Sequence, residues 1–285
     1  MLFTTPYVLG IDESPQRNQL RQIAVPVQAV EGTLVTFTRD RVTGWLFQPT
    51  VGNESVLIIP TKKKLDRVPD TYPRVLLATV DNVAASSLDL SPTATWLRHP
   101  QLGIAASQEQ VSDSWVGAFA FTKEDQDRGI VGLRPPQIGA IHAIHARWSV
   151  SSEPSTIVMP TGTGKTETML SVLVSAGCSR VLVVVPTDAL RTQISEKFLT
   201  LGVLKDPRAS ILAGTALHPT VCVLKHKPRT AAEVGELFER AQVIVTTTSI
   251  AGQCEPEAQQ AMAALCSHLF IDEAHHAEAT TWKAL

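Results

Sequence analysis

Along the chain, hydrophobic and polar positions alternate in two different rhythms. Up to about residue 130, short runs rich in β-branched and aromatic residues are separated by turn formers. QIAVPVQAV, TLVTFTRD, SVLIIPT and RVLLATV each read as a strand. The stretch SSLDLSPTATWLRHPQLGIAASQEQ reads as helical or irregular, and EDQDRGIVG as a polar connector. From Leu133 the order becomes regular. PPQIGAIHAIHARW sets Ile138, Ile141, Ile144 and Ala146 at roughly helical spacing behind a proline start. STIVM predicts a strand, and KTETMLSVLVSAG a helix closed by Gly177. RVLVVVP is too apolar to have a wet face, which predicts a strand of a parallel sheet covered on both sides. TDALRTQISEKFLTLG predicts a helix capped by Thr187 or Asp188 and ended at Gly202. QVIVTTTS and HLFIDEAHH predict two further short buried strands.

Strands alternating with helices in this way indicate an α/β fold with a doubly wound parallel sheet, here residues 131–285. A smaller domain, mixed α+β or mostly β, is expected over residues 1–130. Such sheets bind ligands beyond the carboxyl ends of their strands, where the polar residues of this chain collect. Upstream of residue 130 no catalytic pattern stands out. Asp70 and Asp81 near Lys62, Lys63 and Lys64 could be assembled into a nuclease-like set, but they read as scattered surface charge.

Composition narrows the classes. With 285 residues, 44% hydrophobic and 18% charged, the chain is globular and has room for two cores. Its formal net charge of -2 supplies no general basic field, so a nucleic-acid partner would have to be met by a local patch or by backbone amides. Cys178, Cys222, Cys254 and Cys266 form no CxxC pair, which argues for free thiols in a reducing compartment and against a zinc knuckle. No apolar run approaches the ~18 residues of a membrane span, and no basic-then-apolar leader opens the chain. A cytoplasmic location is expected.

The chemistry concentrates in two places. In IVMPTGTGKTETML, glycines and a lysine lie between a predicted strand and a predicted helix. A loop of this kind aims successive backbone N–H groups at an anion and adds the partial positive charge of the helix N-terminus. Gly162 and Gly164 let the backbone approach phosphate oxygens. Lys165 supplies a point charge for the β- and γ-phosphates, and Thr166 a hydroxyl for Mg²⁺. The full consensus wants a glycine where this chain has Met159. The shortened pattern arises by accident in about one chain in a hundred of this length.

The second place is LFIDEAHH, an apolar strand ending in Asp272 and Glu273. In a phosphate-loop protein the first acid holds Mg²⁺ and the second orients and deprotonates the attacking water. His275 and His276, with His268 and Glu278, make no zinc set, and His142 and His145 read as ordinary helix residues.

Taken in order, MPTGTGKT, VVVPTDALRTQ, VTTTS and IDEAHH resemble helicase superfamily 2, in its DEAD/DEAH-box branch, and most closely motors like those of type III restriction enzymes. LRPPQ resembles the adenine-side element of that superfamily. The resemblance covers about residues 131–285 and implies a RecA-like lobe using ATP and Mg²⁺. It implies that Gln137 hydrogen-bonds adenine and Arg134 packs on the base, while Thr161, Gly162, Thr163, Gly164, Lys165 and Thr166 cradle the triphosphate. Pro186, Thr187, Arg191, Thr247, Thr248 and Ser249 would touch a nucleic-acid backbone, and His275 would couple the nucleotide to that contact. DNA is expected ahead of RNA as partner, with restriction or defence-system subunits beside it. The second lobe and its arginine finger do not occur in these residues, so the chain reads as the N-terminal part of a longer motor, slow on its own. The competing reading is a non-catalytic nucleic-acid- or protein-binding regulator built on a truncated motor lobe.

Overall fold

The computed structural model describes residues 1–52, 54–80 and 86–273. Contacts divide the chain into two units. One is Met1–Gly10 with Ile23–Ala105, and the other is Ile11–Gln22 with Ala106–Leu285. Residue 130, the boundary expected from the sequence, lies inside the second unit.

The strands that begin the chain are β1 (Leu2–Thr5), β2 (Val8–Glu13), β3 (Gln19–Val25), β4 (Gln28–Arg39), β5 (Val42–Pro49), β6 (Val56–Ile59), β7 (Val75–Leu77), β8 (Ser87–Asp89) and β9 (Thr95–Arg98). Seven of them form the sheet of the first unit, in the order β8-β1-β4-β5-β6-β7-β9. Within this sheet β6 is an interior strand, flanked by β5 and β7, and its sequence VLII is buried at every position. Val56 and Ile58 enter a cluster with Phe3, Phe47, Leu76 and Trp96. Leu57 and Ile59 face the opposite way, into a cluster with Phe37, Val42, Val68 and Val75. An apolar run of this length buried on both faces is the pattern of a central strand. Phe3 stacks on Phe47 at 4.3 Å between ring centroids, and the Trp96 indole donates to the Pro6 carbonyl at 3.0 Å.

One expectation for this region fails. The stretch read as helical or irregular contains β8 and β9, and its only helix is α1 (Gln108–Trp115), which begins at its far end. Both strands are short, and a strand of three or four residues leaves too little alternation to show a period.

The second unit carries α1, α2 (Pro135–Trp148), α3 (Lys165–Ser175), α4 (Asp188–Thr200), α5 (Ala231–Phe238), α6 (Thr248–Gly252) and α7 (Pro256–Leu265). Its sheet adds β10 (Val181–Val185), β11 (Val221–Val223), β12 (Val243–Thr247) and β13 (His268–Ile271), in the order β13-β10-β12-β11-β3-β2. β10 runs parallel to both β12 and β13, and all five of its residues are buried. β11 is parallel to β12 and antiparallel to β3, so the sheet is mixed.

The antiparallel edge comes from the start of the chain. Residues 11–22 leave the first unit and pair with β11, matching Arg21 to Val221, Leu20 to Cys222 and Gln19 to Val223. Leu20 is fully buried in the cluster built by Leu182, Val184, Phe238, Ile244 and Met262. Asn18, 1% exposed, accepts from the backbone N–H groups of Lys225 and His226 at 2.8 and 2.9 Å.

STIVM is not a strand. Residues 154–160 have no ladder partner among the described residues, and Val158 is 90% exposed. β-branched residues fit a half-buried pleated surface but do not create one.

Candidate functional site

α3 begins at Lys165 because Gly164 takes a left-handed conformation, φ 91° and ψ 48°, that turns the chain into the first helical turn. Gly162, φ 81°, provides the preceding turn. The first-turn amides of α3 have no acceptor within the helix and, with its dipole, favour an anion there. The Thr163 hydroxyl donates to the Pro160 carbonyl at 2.6 Å, closing the loop on itself. Thr161 and Gly162 are exposed, and Thr163, Gly164, Lys165 and Thr166 are half-buried.

The loop is also held from α2. Arg134 Nη1 donates to the Gly162 carbonyl at 2.8 Å, and Gln137 Nε2 to the Gly164 carbonyl at 3.2 Å. Gln137 is 4% exposed, and its Oε1 accepts from the Arg134 backbone N–H at 2.7 Å. Both side chains expected on the base side therefore bond to the phosphate loop. Two ion pairs adjoin them, which sequence reading missed: Glu124 with Arg134 at 3.7 Å, and Glu167 with Lys197 at 2.8 Å. The partners lie 10 and 30 residues apart, beyond the reach of any local pattern.

At the other end of the site, the parallel ladder continues past β13, since the Asp272 N–H donates to the Val184 carbonyl at 2.9 Å. Glu273 then turns the chain with φ 53°, a conformation uncommon outside glycine. The turn brings its carboxylate to Lys165: Nζ to Oε1 is 3.0 Å, across 108 residues of sequence. Burial, then the charge of Glu273, raises the Asp272 carboxyl above its ordinary pKa; Lys165 and a hydrogen bond from the Glu273 backbone oppose this. A divalent cation beside Asp272 would offset both raising effects. The donors thus fit a magnesium nucleotide: Thr166 on the first turn of α3, Asp272 just past β13, open space around Gly162, and the first-turn amides of α3. Among the described residues no group of three or more His, Cys, Asp or Glu side chains is placed to hold a metal by itself. A phosphate-bound Mg²⁺ needs no such group, because phosphate and water complete its shell.

The family model for the type III restriction enzyme res subunit matches residues 130–285, more than half of the chain. The chain belongs to this family. It is a family of helicase superfamily 2 motor domains. No curated protein matches the chain.

The residues expected from the sequence to touch nucleic acid lie as follows. Pro186 follows β10, and the Thr187 hydroxyl caps α4 by accepting from the Leu190 N–H at 3.2 Å. Arg191 is 7% exposed; its Nη1 lies 2.9 Å from Asp188, and its Nε has no hydrogen-bond partner among the described residues. Thr247 caps α6 through the Ile250 N–H at 3.3 Å, Thr248 is half-buried and Ser249 is exposed. Two of the hydroxyls expected on a phosphate backbone are thus engaged in capping. His275 lies outside the described residues. The four cysteines are free, and burial pushes the thiols of Cys178, Cys222 and Cys266 up to about 12 and that of Cys254 to about 11. No described helix is long and apolar enough to cross a membrane.

Proposed function

We propose that the chain is the ATP-hydrolysing part of a nucleic-acid helicase or translocase, with a RecA-like lobe in its second unit. The single observation that carries this reading is the 3.0 Å contact between Lys165 and Glu273. It brings the phosphate loop and the acidic strand end to one place, as shared work on one nucleotide requires.

In this reading Lys165 and the loop amides bind the β- and γ-phosphates, and Gly162 and Gly164 let the backbone approach them. Thr166 and Asp272 would hold Mg²⁺, which when bound would neutralise charge on the phosphates. When phosphate takes over Lys165, the Glu273 carboxylate is released to orient and deprotonate water. Arg134 and Gln137 tie the loop's shape to the adenine side. Thr248, Ser249 and neighbouring backbone amides contact a nucleic-acid backbone, DNA ahead of RNA, beside other restriction or defence-system subunits. The protein works in the cytoplasm.

The test is ATP turnover and nucleotide binding of the chain with Mg²⁺. Glu273→Gln should lower turnover by about 10² to 10⁴ while nucleotide still binds. Lys165→Ala should weaken binding itself. Normal turnover in Glu273→Gln refutes the assignment.

A further inference from the structure

The first unit carries a basic surface that the motor reading does not use. β4 and β5 are joined by a two-residue turn, Asp40-Arg41, closed by the Arg39–Val42 pair. Both turn residues have positive φ, 49° and 63°. The right-handed twist of the strands demands this turn, which normally selects asparagine and glycine. Here it holds an arginine out at the tip. Beside it, a 3-10 turn at Lys62–Arg67 presents Lys62, Lys63 and Arg67 to solvent, with Lys64 half-buried. Asp40, Arg41 and Arg67 line one open concavity of about 440 Å³, so the two segments face a common space.

The surface is rigidly supported. Phe37 and Val42 from the hairpin pack with Val68, Leu65 and Tyr72 from the segment after β6. Phe37 meets Tyr72 edge-on at 5.3 Å. Arg98 donates to the carbonyls of Pro69 and Tyr72 at 3.1 and 3.3 Å and pairs with Asp70 at 3.4 Å, fixing the chain just beyond Arg67. The apolar side chains of both segments therefore point inward, and the outer face is cationic. Arg39, Arg41, Lys62, Lys63, Lys64 and Arg67 stand against two carboxylates, Asp40 and Asp66. Only Arg39 has an ion pair, with Asp40; the other five cations have none among the described residues.

We propose that this surface binds the phosphate backbone of a nucleic acid. Spaced, unpaired cations on a rigid support suffice for phosphate contacts. A protein partner would need apolar or aromatic anchors at the centre of the contact, and here those residues are turned inward. With a net charge of -2 the chain has no general basic field, so a local patch of this kind offers a polyanion a route to it. The inference does not rest on ATP hydrolysis.

The test is fluorescence anisotropy with a labelled DNA duplex of about 30 base pairs and single-stranded DNA and RNA of equal length, without nucleotide, from about 50 to about 200 mM salt. The variant Arg41→Gln/Lys62→Gln/Lys63→Gln/Arg67→Gln should bind at least about tenfold more weakly at low salt. The slope of log affinity against log salt should become shallower by about 3 to 4, near 0.9 per lost contact. A matched variant, Lys123→Gln/Arg128→Gln/Arg147→Gln/Arg208→Gln, should keep the parent's affinity and slope. Unchanged thermal midpoints confirm that the exposed substitutions spare the fold. The proposal is overturned if the first variant keeps the parent's affinity and slope. It is also overturned if the matched variant loses as much, or if the parent binds an acidic peptide but none of the three nucleic acids.

Discussion

Replacing Gly164 by alanine should damage the loop more than the same change at Gly162, and the structure gives the reason. Both glycines have positive φ, 91° and 81°, so each substitution meets a backbone cost of about 1 to 2 kcal/mol. At Gly162 the added Cβ finds nothing within 4 Å, and the cost ends there. At Gly164 it would lie 2.0 Å from Gln137 Nε2, and the side chain must move. Gln137 is buried and bonded to the Arg134 amide and the Gly164 carbonyl, so its displacement leaves buried polar groups unpaired, at about 1 to 3 kcal/mol. The expected losses are about 2 to 5 kcal/mol for Gly164→Ala and about 1 to 2 for Gly162→Ala. Urea unfolding of the chain measures both. Because the clash involves one partner, Gly164→Ala combined with Gln137→Ala should fall short of additivity by about 1 to 3 kcal/mol. Equal losses at the two glycines, or strict additivity in the double variant, refute the reasoning.

Two further outcomes follow from buried polar groups outside the site. Burial, aided by Lys205, pushes the His218 imidazole down to about 4 from its ordinary 6.5, against the Leu199 carbonyl that favours its charge. Below pH 6.5 the unfolded chain binds a proton that the folded chain refuses, so stability is full above that pH and falls toward pH 4, by about 3 kcal/mol. Urea midpoints across this window should show the decline, and His218→Gln should flatten it. Asn18→Ala removes the buried acceptor of two part-buried backbone hydrogen bonds and should lower stability by about 1 to 3 kcal/mol, with faster hydrogen exchange at Lys225 and His226. Unchanged exchange there would deny the N-terminal segment its place at the sheet edge.

What the sequence disclosed depended on how local each cause was. β10 was legible because five consecutive apolar β-branched or leucine residues have only one home, a strand covered on both faces. The cap of α4 and the glycines of the phosphate loop were equally readable, since their chemistry lies within four residues. STIVM misled for the opposite reason: its composition suits a strand, yet a strand exists only with a ladder partner. The excursion of residues 11–22 into the second unit was invisible, because pairing β3 with β11 is a property of about two hundred intervening residues. At the site, residue types were readable, but the hold of Arg134 and Gln137 on the loop carbonyls was not, as the bonds join residues 28 and 27 positions apart.

The central claim, that loop and acids serve one magnesium nucleotide, is tested most directly by crystals grown with Mn²⁺ and a non-hydrolysable ATP analogue, read by the anomalous signal of the metal. A single peak flanked by Thr166 and Asp272, with Lys165 moved from Glu273 onto phosphate, is the expected result. A nucleotide bound with its metal away from Asp272, or a Lys165–Glu273 pair unbroken beside bound triphosphate, would contradict it.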